Sequence, residues 1–378
     1  MPIYKMNGKK DGLQKYNVRI NYISDIGKPK QLTRTTYGLD AAKELERRLE
    51  YDFKVNDEVL TRKMSIKQLF DEYIKVKQYE VRETTLDKTK RIIKRHVIPK
   101  LADVSIDKMS VKILQEWKVS LEEQGLALKT KKNVFSELRS MLNYAVKMEY
   151  IPKNPLAKVG NFRSALSTKQ EISFYTPEEF RKFINVAKDI ALKKQGKSQS
   201  LYEWNYYVFF SIAFYTGLRK GEIHALRWSD IENGYLSVKR SLTQKLHHKD
   251  IETPPKNRSS FRTLQMPTPL IEILNEHKIR QQQLTDFKDN SMVLGDGRSL
   301  RDTSIQNRNI QYASLAGVKR IRIHDFRHSH ASLLANMGIN IQEIARRLGH
   351  ARIEMTWNTY SHLYPKEEEK AMAVLNKV

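Results

Sequence analysis

The chain has 378 residues, with 68 Lys plus Arg against 43 Asp plus Glu, a formal net charge of +25 and no cysteine. That length favours two or three domains, and the charge asks for a polyanionic partner, either nucleic acid or an anionic membrane surface. The missing cysteine excludes a disulfide framework, a thiolate nucleophile, an iron–sulfur cluster and Cys-ligated zinc. The longest apolar run, Tyr206 to Tyr215, is about half of what a bilayer helix needs, so no membrane partner and a cytoplasmic location are expected.

The first 37 residues hold eight Lys/Arg against Asp11 and Asp25, a basic head. Tyr16, Val18, Ile20 and Tyr22 alternate with polar residues, the period of a half-buried strand. Asp25-Ile26-Gly27 supplies a turn, residues 30 to 37 read as one or two short strands, and Leu39 to Lys54 has helical spacing. The expectation for residues 1–60 is a three-stranded sheet backed by one helix. Its polar face, with Arg19 and Asn21, suits phosphates and base edges in a major groove, or equally a solvated strand face.

Residues 64 to 158 read as a helical bundle. Ser65 with Gln68 forms a capping box before an apolar stripe, Thr85 opens a second helix that Pro99 stops, and a third runs from Ser110 to Gly125. A fourth carries Val134, Leu138, Leu142 and Val146, and Ile151-Pro152-Lys153-Asn154-Pro155 ends the bundle. Residues 61 to 160 contain 22 basic and 12 acidic side chains. The runs around Lys90 and Lys94, and Lys131 with Lys132, are therefore candidates for tracking a nucleic-acid backbone.

Residues 160 to 170 read as a linker. Thr176-Pro177-Glu178-Glu179 then opens a new, mostly helical domain, interrupted by strand-like segments at Tyr235 to Ser241 and Phe261 to Met266. Four of its stretches carry groups suited to a phosphodiester: Thr216-Gly217-Leu218-Arg219-Lys220-Gly221-Glu222, Pro255-Lys256-Asn257-Arg258, His324-Asp325-Phe326-Arg327-His328, and Leu348-Gly349-His350 followed by Tyr360. Arg219 and Glu222 lie three apart on one helix face, as do His324 and Arg327. Phe326, Leu333, Leu334 and Met337 mark the core stripe of the helix that follows, and His330 falls on it. His324 and His328 have the i,i+4 spacing of a zinc pair without a completing motif, so no metal and no cofactor are expected.

The series TGLRKGEI, a hairpin lysine, HDFRH, LGH and TWNTYSH resembles the tyrosine recombinases, specifically phage-type integrases of mobile elements, over nearly the whole chain. The resemblance implies a mainly α chain with small β elements. In it 1–60 is an arm-site DNA-binding domain, 64–158 a core-binding helical domain and 174–378 a recombinase catalytic domain. It implies site-specific integration and excision of a phage or mobile element through a 3′-phosphotyrosine intermediate. Arg219 and Arg327 would clamp the scissile phosphate, Lys256 would match the hairpin lysine, and His324, His350 and the nucleophile Tyr360 would complete the catalytic set, with Glu222 supporting Arg219. His324 is the candidate base. Lys245, Lys249 and Arg258 compete with Lys256 for the general-acid role. Implied partners are double-stranded core and arm DNA, further copies of the chain in a tetramer, an excisionase and a DNA-bending protein. The chemistry fits the residue types: guanidinium forks pair two phosphate oxygens, and a phenol needs a proton acceptor. Ile341 to Gly349 also resembles the start of a helix-turn-helix. A non-enzymatic DNA regulator would leave Arg219, Lys256, Arg327 and Tyr360 unexplained, whereas a nicking and rejoining topoisomerase would leave the basic head unexplained.

Overall fold

The structure is a computed structural model that describes all residues except 1–2, 11, 24–28, 56–63, 164–171, 194–199, 247–248, 256–257, 284–286, 296–298, 365–371, 373–374 and 377–378. It divides into two compact units, Met1–Thr168 and Lys169–Val378. The first holds both the head and the helical bundle. Most of the expected 160–170 linker lies outside the described residues.

In the head, β1 (Ile3–Lys10), β2 (Leu13–Ile23) and β3 (Pro29–Tyr37) form an antiparallel meander in that order, followed by α1 (Leu39–Val55). Val18 on β2 and Ala42 on α1 are fully buried. Residues 30 to 37 make one strand rather than two. Sequence pattern did not place β1 because almost all of its side chains are exposed, so no period-two apolar signal exists to read.

The bundle comprises α2 (Ile66–Glu80), α3 (Glu83–His96), α4 (Val111–Glu123) and α5 (Leu128–Lys147). The Ser65–Gln68 capping box forms in both directions, and Ser110 caps α4 by accepting from the Ile113 amide at 3.3 Å. Leu69, Ile93, Leu114, Leu121, Leu138 and Leu142 make a dry core. Within it the Trp117 indole donates to the His96 carbonyl at 2.9 Å, satisfying a buried donor and a helix-end acceptor together. Helix α3 stops just ahead of Pro99, as expected. The helix ends at His96, and Pro99 sits in the first turn of a further single-turn helix, Ile98–Leu101, where a missing amide costs nothing.

The second unit opens with α6 (Pro177–Lys193), capped reciprocally by Thr176 and Glu179. Next comes α7 (Ser200–Thr216), whose side chains from Trp204 to Phe214 are almost all buried. A helix apolar on every side belongs at the centre of its domain. Phe180, Phe183, Tyr312 and Phe326 close around it with edge and stacked ring contacts. A short helix α8 (Lys220–His224) leads to β4 (Ile231–Glu232), β5 (Tyr235–Val238), β6 (Ser241–Leu246), β7 (Lys249–Thr253) and β8 (Arg262–Gln265). Strands β4, β5 and β8 form one antiparallel sheet, and β6 pairs with β7. Helices α9 (Thr268–Gln282) and α10 (Asp302–Leu315) precede the three that carry most of the site: α11 (Asp325–Asn336), α12 (Ile341–Leu348) and α13 (Ile353–Tyr360). Met337, expected on the core stripe of α11, is 69% exposed, because the helix ends at Asn336 and Met337 caps it.

Candidate active site

The site begins where α7 stops. The Thr216 hydroxyl donates back to the Ile212 carbonyl at 2.6 Å, and Gly217 takes the left-handed conformation at φ 64°. A side chain there would also strike the His330 ring, with a Cβ only 2.8 Å from its Cδ2. The turn delivers Arg219 as the cap of α8, and Glu222 braces it twice: Oε2 accepts from the Arg219 amide and Oε1 from its Nη1, both at 2.9 Å. The Arg219 side chain stays 38% exposed while that of Glu222 is 3% exposed. One arginine is thus held at the surface by a carboxylate beneath it.

A second arginine completes that brace. Arg262, on β8, donates from Nη2 to Glu222 Oε2 at 2.8 Å, from Nη1 to Oε1 at 3.2 Å, and from Nε to the Arg347 carbonyl at 2.7 Å. Burial alone would raise the Glu222 pKa, but the bonds and charges of Arg262 and Arg219 outweigh it and hold the carboxyl below its ordinary range. Sequence reading missed Arg262, since one arginine in an alternating strand carries no local signal of its partner.

Arg327, in the first turn of α11, is 3% exposed. Its Nη1 donates to the Gly217 carbonyl at 2.8 Å and its Nη2 to the Leu348 carbonyl at 2.6 Å. These bonds tie the end of α7 to the end of α12. Gly349 there adopts φ 65°, and its carbonyl accepts from Arg219 Nη2 at 3.3 Å. An added Cβ at Gly349 would lie 3.0 Å from the Ser259 carbonyl and from Arg262 Nη1, so only glycine fits this turn. Burial and the neighbouring Arg219 charge push the Arg327 pKa down to about 9, which still leaves it cationic at neutral pH. Three guanidinium groups around one carboxylate leave an excess of positive charge that suits an anion.

His350 follows Gly349, and its Nδ1 lies 2.7 Å from the buried Thr356 hydroxyl. Burial, then Arg327 and Arg219, push its pKa down to about 4, so the ring is neutral at pH 7. Tyr360 ends α13 and is 1% exposed, packed on Ala331, Ala335, Ile344 and Leu348. Its hydroxyl lies 2.6 Å from His328 Nδ1. Burial raises the phenol pKa, and the nearby Arg327 charge opposes the rise. His324, the expected base, sits one turn before His328 with ring centroids 5.1 Å apart, and the short contact to the tyrosine belongs to His328 instead. His330 is buried on the core stripe, its Nδ1 2.9 Å from the Phe214 carbonyl. Arg219, Glu222, Arg327, His350 and Tyr360 are therefore gathered in one unit. Lys256, in the connection after β7, lies outside the described residues, as do the side chains of Lys245, Lys249 and Arg258.

The candidate DNA contacts of the first unit differ among themselves. Lys94 and Lys132 are exposed, while Lys90 is half-buried. Lys131 pairs with Glu122 and lies 5.6 Å over the Phe162 ring, so part of its job is structural. The Arg19 guanidinium stacks 4.6 Å over the Tyr4 ring. Asn21 pairs through its backbone with Gln31, and its side chain lies outside the described set. No helix among the described residues is long and apolar enough to cross a membrane.

Residues 174–367 match the model of the phage integrase family, and residues 65–121 match the phage integrase N-terminal SAM-like domain. The chain is 28% identical over 337 residues to the ICEBs1 integrase of Bacillus subtilis, covering 87% of each. It is 30% identical over 289 residues to a XerC-like tyrosine recombinase of Caldanaerobacter subterraneus, covering 70% of each. In fold it resembles the Tn1549 transposon integrase in complex with a circular intermediate DNA, with a TM-score of 0.66 at 20% identity over 83% of this chain and 99% of that one. It also resembles a lambda integrase dimer bound to a core site, with a TM-score of 0.57 at 17% identity over 97% of this chain and 95% of that one. With its arginines, histidines and terminal-helix tyrosine gathered as described, the chain belongs to the phage integrase family and is a tyrosine-type site-specific recombinase, an enzyme that cuts and rejoins DNA through a 3′-phosphotyrosine intermediate.

Proposed function

We propose that this recombinase integrates and excises a mobile element by acting on double-stranded core and arm attachment sites. The observation that carries the reading is the convergence of Arg219 and Arg327 on the turns at Gly217 and Gly349, with Tyr360 packed alongside. Relatives named as the ICEBs1 integrase, a transposon integrase and the integrase of Staphylococcus phage L54a support the element-mobilising role. The solved relatives bound to DNA support a DNA substrate.

In this reading Arg219 and Arg327 pair two non-bridging oxygens of the scissile phosphate and stabilise charge that grows at the five-coordinate phosphorus. Glu222 keeps Arg219 aimed, and Arg262 keeps Glu222 charged. His350 and His324 add hydrogen bonds around the phosphate. Tyr360 attacks, and Lys256 protonates the departing 5′ oxygen. At 1% exposure the phenol is covered in the free chain. Access to phosphorus therefore requires the segments over it to move when DNA binds, which keeps the nucleophile idle off its target.

The bundle supplies backbone contacts through Lys90, Lys94 and Lys132, with Lys131 in part, and the basic head with Arg19 and Asn21 binds the arm site. One chain then bridges two DNA segments and gains effective concentration. The active assembly is a tetramer on DNA, with an excisionase and a DNA-bending protein setting direction and geometry. Incubation of the full chain with a nicked suicide core-site duplex, followed by mass mapping of the DNA-linked peptide, tests the chemistry. The expected adduct is on Tyr360, and an adduct elsewhere, or none, would refute the assignment.

A further inference from the structure

Among the described residues, the nitrogen against the Tyr360 hydroxyl is His328 Nδ1, at 2.6 Å. His328 lies on α11 directly after Arg327, so the helix that fixes a phosphate-binding arginine also fixes this ring. The tyrosine and histidine rings meet at 5.8 Å between centroids, tilted by 53°. The phenol has only one hydrogen to give, and a neutral imidazole has one unprotonated nitrogen to take it. The groups facing His328 are Arg322, Asp325 and Arg327 around the start of its own helix, His324 at 5.1 Å, His350, and Tyr360 from α13. Burial, outweighing Asp325 and aided by Arg327 and Arg322, holds His328 below the usual histidine range, which leaves the ring neutral and able to accept a proton at neutral pH.

Building on the function proposed above, we propose that His328 is a catalytic residue that accepts the Tyr360 proton during strand cleavage. As the Tyr360 oxygen bonds to phosphorus, its O–H bond breaks and the proton moves to His328 Nδ1. The bond from phosphorus to the 5′ oxygen breaks with its electron pair going to that oxygen, which takes a proton from the general acid. In the rejoining step the 5′ hydroxyl attacks phosphorus and gives its proton back to the deprotonated general acid, while His328 returns its proton to the departing phenolate. Nothing is oxidised, and the histidine ends as it began.

The test is single-turnover covalent capture by the full chain on a nicked core-site duplex, with the wild type, His328→Ala, His328→Gln and His324→Ala compared between pH 6 and 9. DNA binding and thermal melting are recorded on the same preparations. His328→Ala is expected to slow capture by about 100-fold or more. Its rate should rise about tenfold per pH unit, because the phenol must then ionise unaided, while the wild type stays nearly flat above neutrality. His328→Gln keeps a hydrogen-bond acceptor but cannot take the proton, so it should share the defect and the slope. It carries the test if the alanine variant fails to fold. His324→Ala is expected to lower the rate without that slope. A duplex with a 5′-bridging sulfur, whose leaving group needs no acid, should leave the His328 defect in place. Capture by either His328 variant at the wild-type rate or faster would overturn the proposal, since His328 would then only hold the tyrosine. Wild-type chain that forms no Tyr360 adduct would instead refute the function on which the proposal rests.

Discussion

The cations of the second unit and those of the bundle are different residue types held in opposite ways. Arg262 and Arg327 are 8% and 3% exposed, and their guanidinium groups are anchored to Glu222 and to the carbonyls of Gly217, Leu348 and Arg347. Lys94 and Lys132 stand exposed on α3 and α5. A buried guanidinium must be fully paired to be tolerated, and that pairing fixes it to within a narrow geometry, as transition-state stabilisation requires. An exposed ammonium has no such constraint. It offers a point charge that follows a phosphate backbone without demanding one position.

The sharpest way to break this contrast is at the proposed nucleophile. Tyr360→Phe removes one hydroxyl and should abolish covalent capture entirely while leaving binding intact, measured by adduct formation against a mobility shift. Next in size is the buried brace. Arg262→Ala leaves the buried Glu222 carboxylate with Arg219 as its remaining arginine partner and is expected to cost about 3 kcal/mol of stability in denaturant unfolding. Lys94→Ala should stay within roughly 0.5 kcal/mol. Equal losses for the two would remove the distinction. Buried histidines give a third, smaller effect. His277 is fully buried, its Nε2 2.6 Å from the Val293 carbonyl, and burial pushes its pKa down to about 4. Above about pH 6.5 it is neutral folded or unfolded and adds no pH dependence. As pH falls from 6.5 toward 4 the unfolded chain takes up the proton and the folded one does not. Stability should therefore drop by about 2 kcal/mol at pH 5 from this residue, read from unfolding midpoints at pH 7 and 5. The gentlest test concerns the bundle surface. Substituting Lys94 and Lys132 together should weaken all duplexes alike and reduce the salt slope of binding by about 2, and an unchanged slope would remove them from the interface.

Much of the fold was legible because its signals are local. The Ser65–Gln68 and Thr176–Glu179 boxes and the leucine stripes of α4 and α5 rest on contacts a few residues apart. The strand β1 was invisible because its side chains face water on both sides. The motif residues Arg219, Glu222, Arg327, His350 and Tyr360 could be picked out in sequence and are gathered as expected. Arg262 and His328 could not be ranked in the same way. The first lies 40 residues from its carboxylate and the second 32 from its hydroxyl.

Sequence alone determined which chemical groups the chain carries and the capping boxes that open two of its helices, because propensity, capping and backbone sterics act over a few residues. Tertiary structure alone decided that Glu222 is shared between two arginines, that the tyrosine is covered, and that its hydroxyl meets His328 rather than His324. Those outcomes depend on how α7, α8, α11, α12, α13 and β8 pack, and side chains separated by tens of residues acquire a distance and a dielectric only once the core has closed around them.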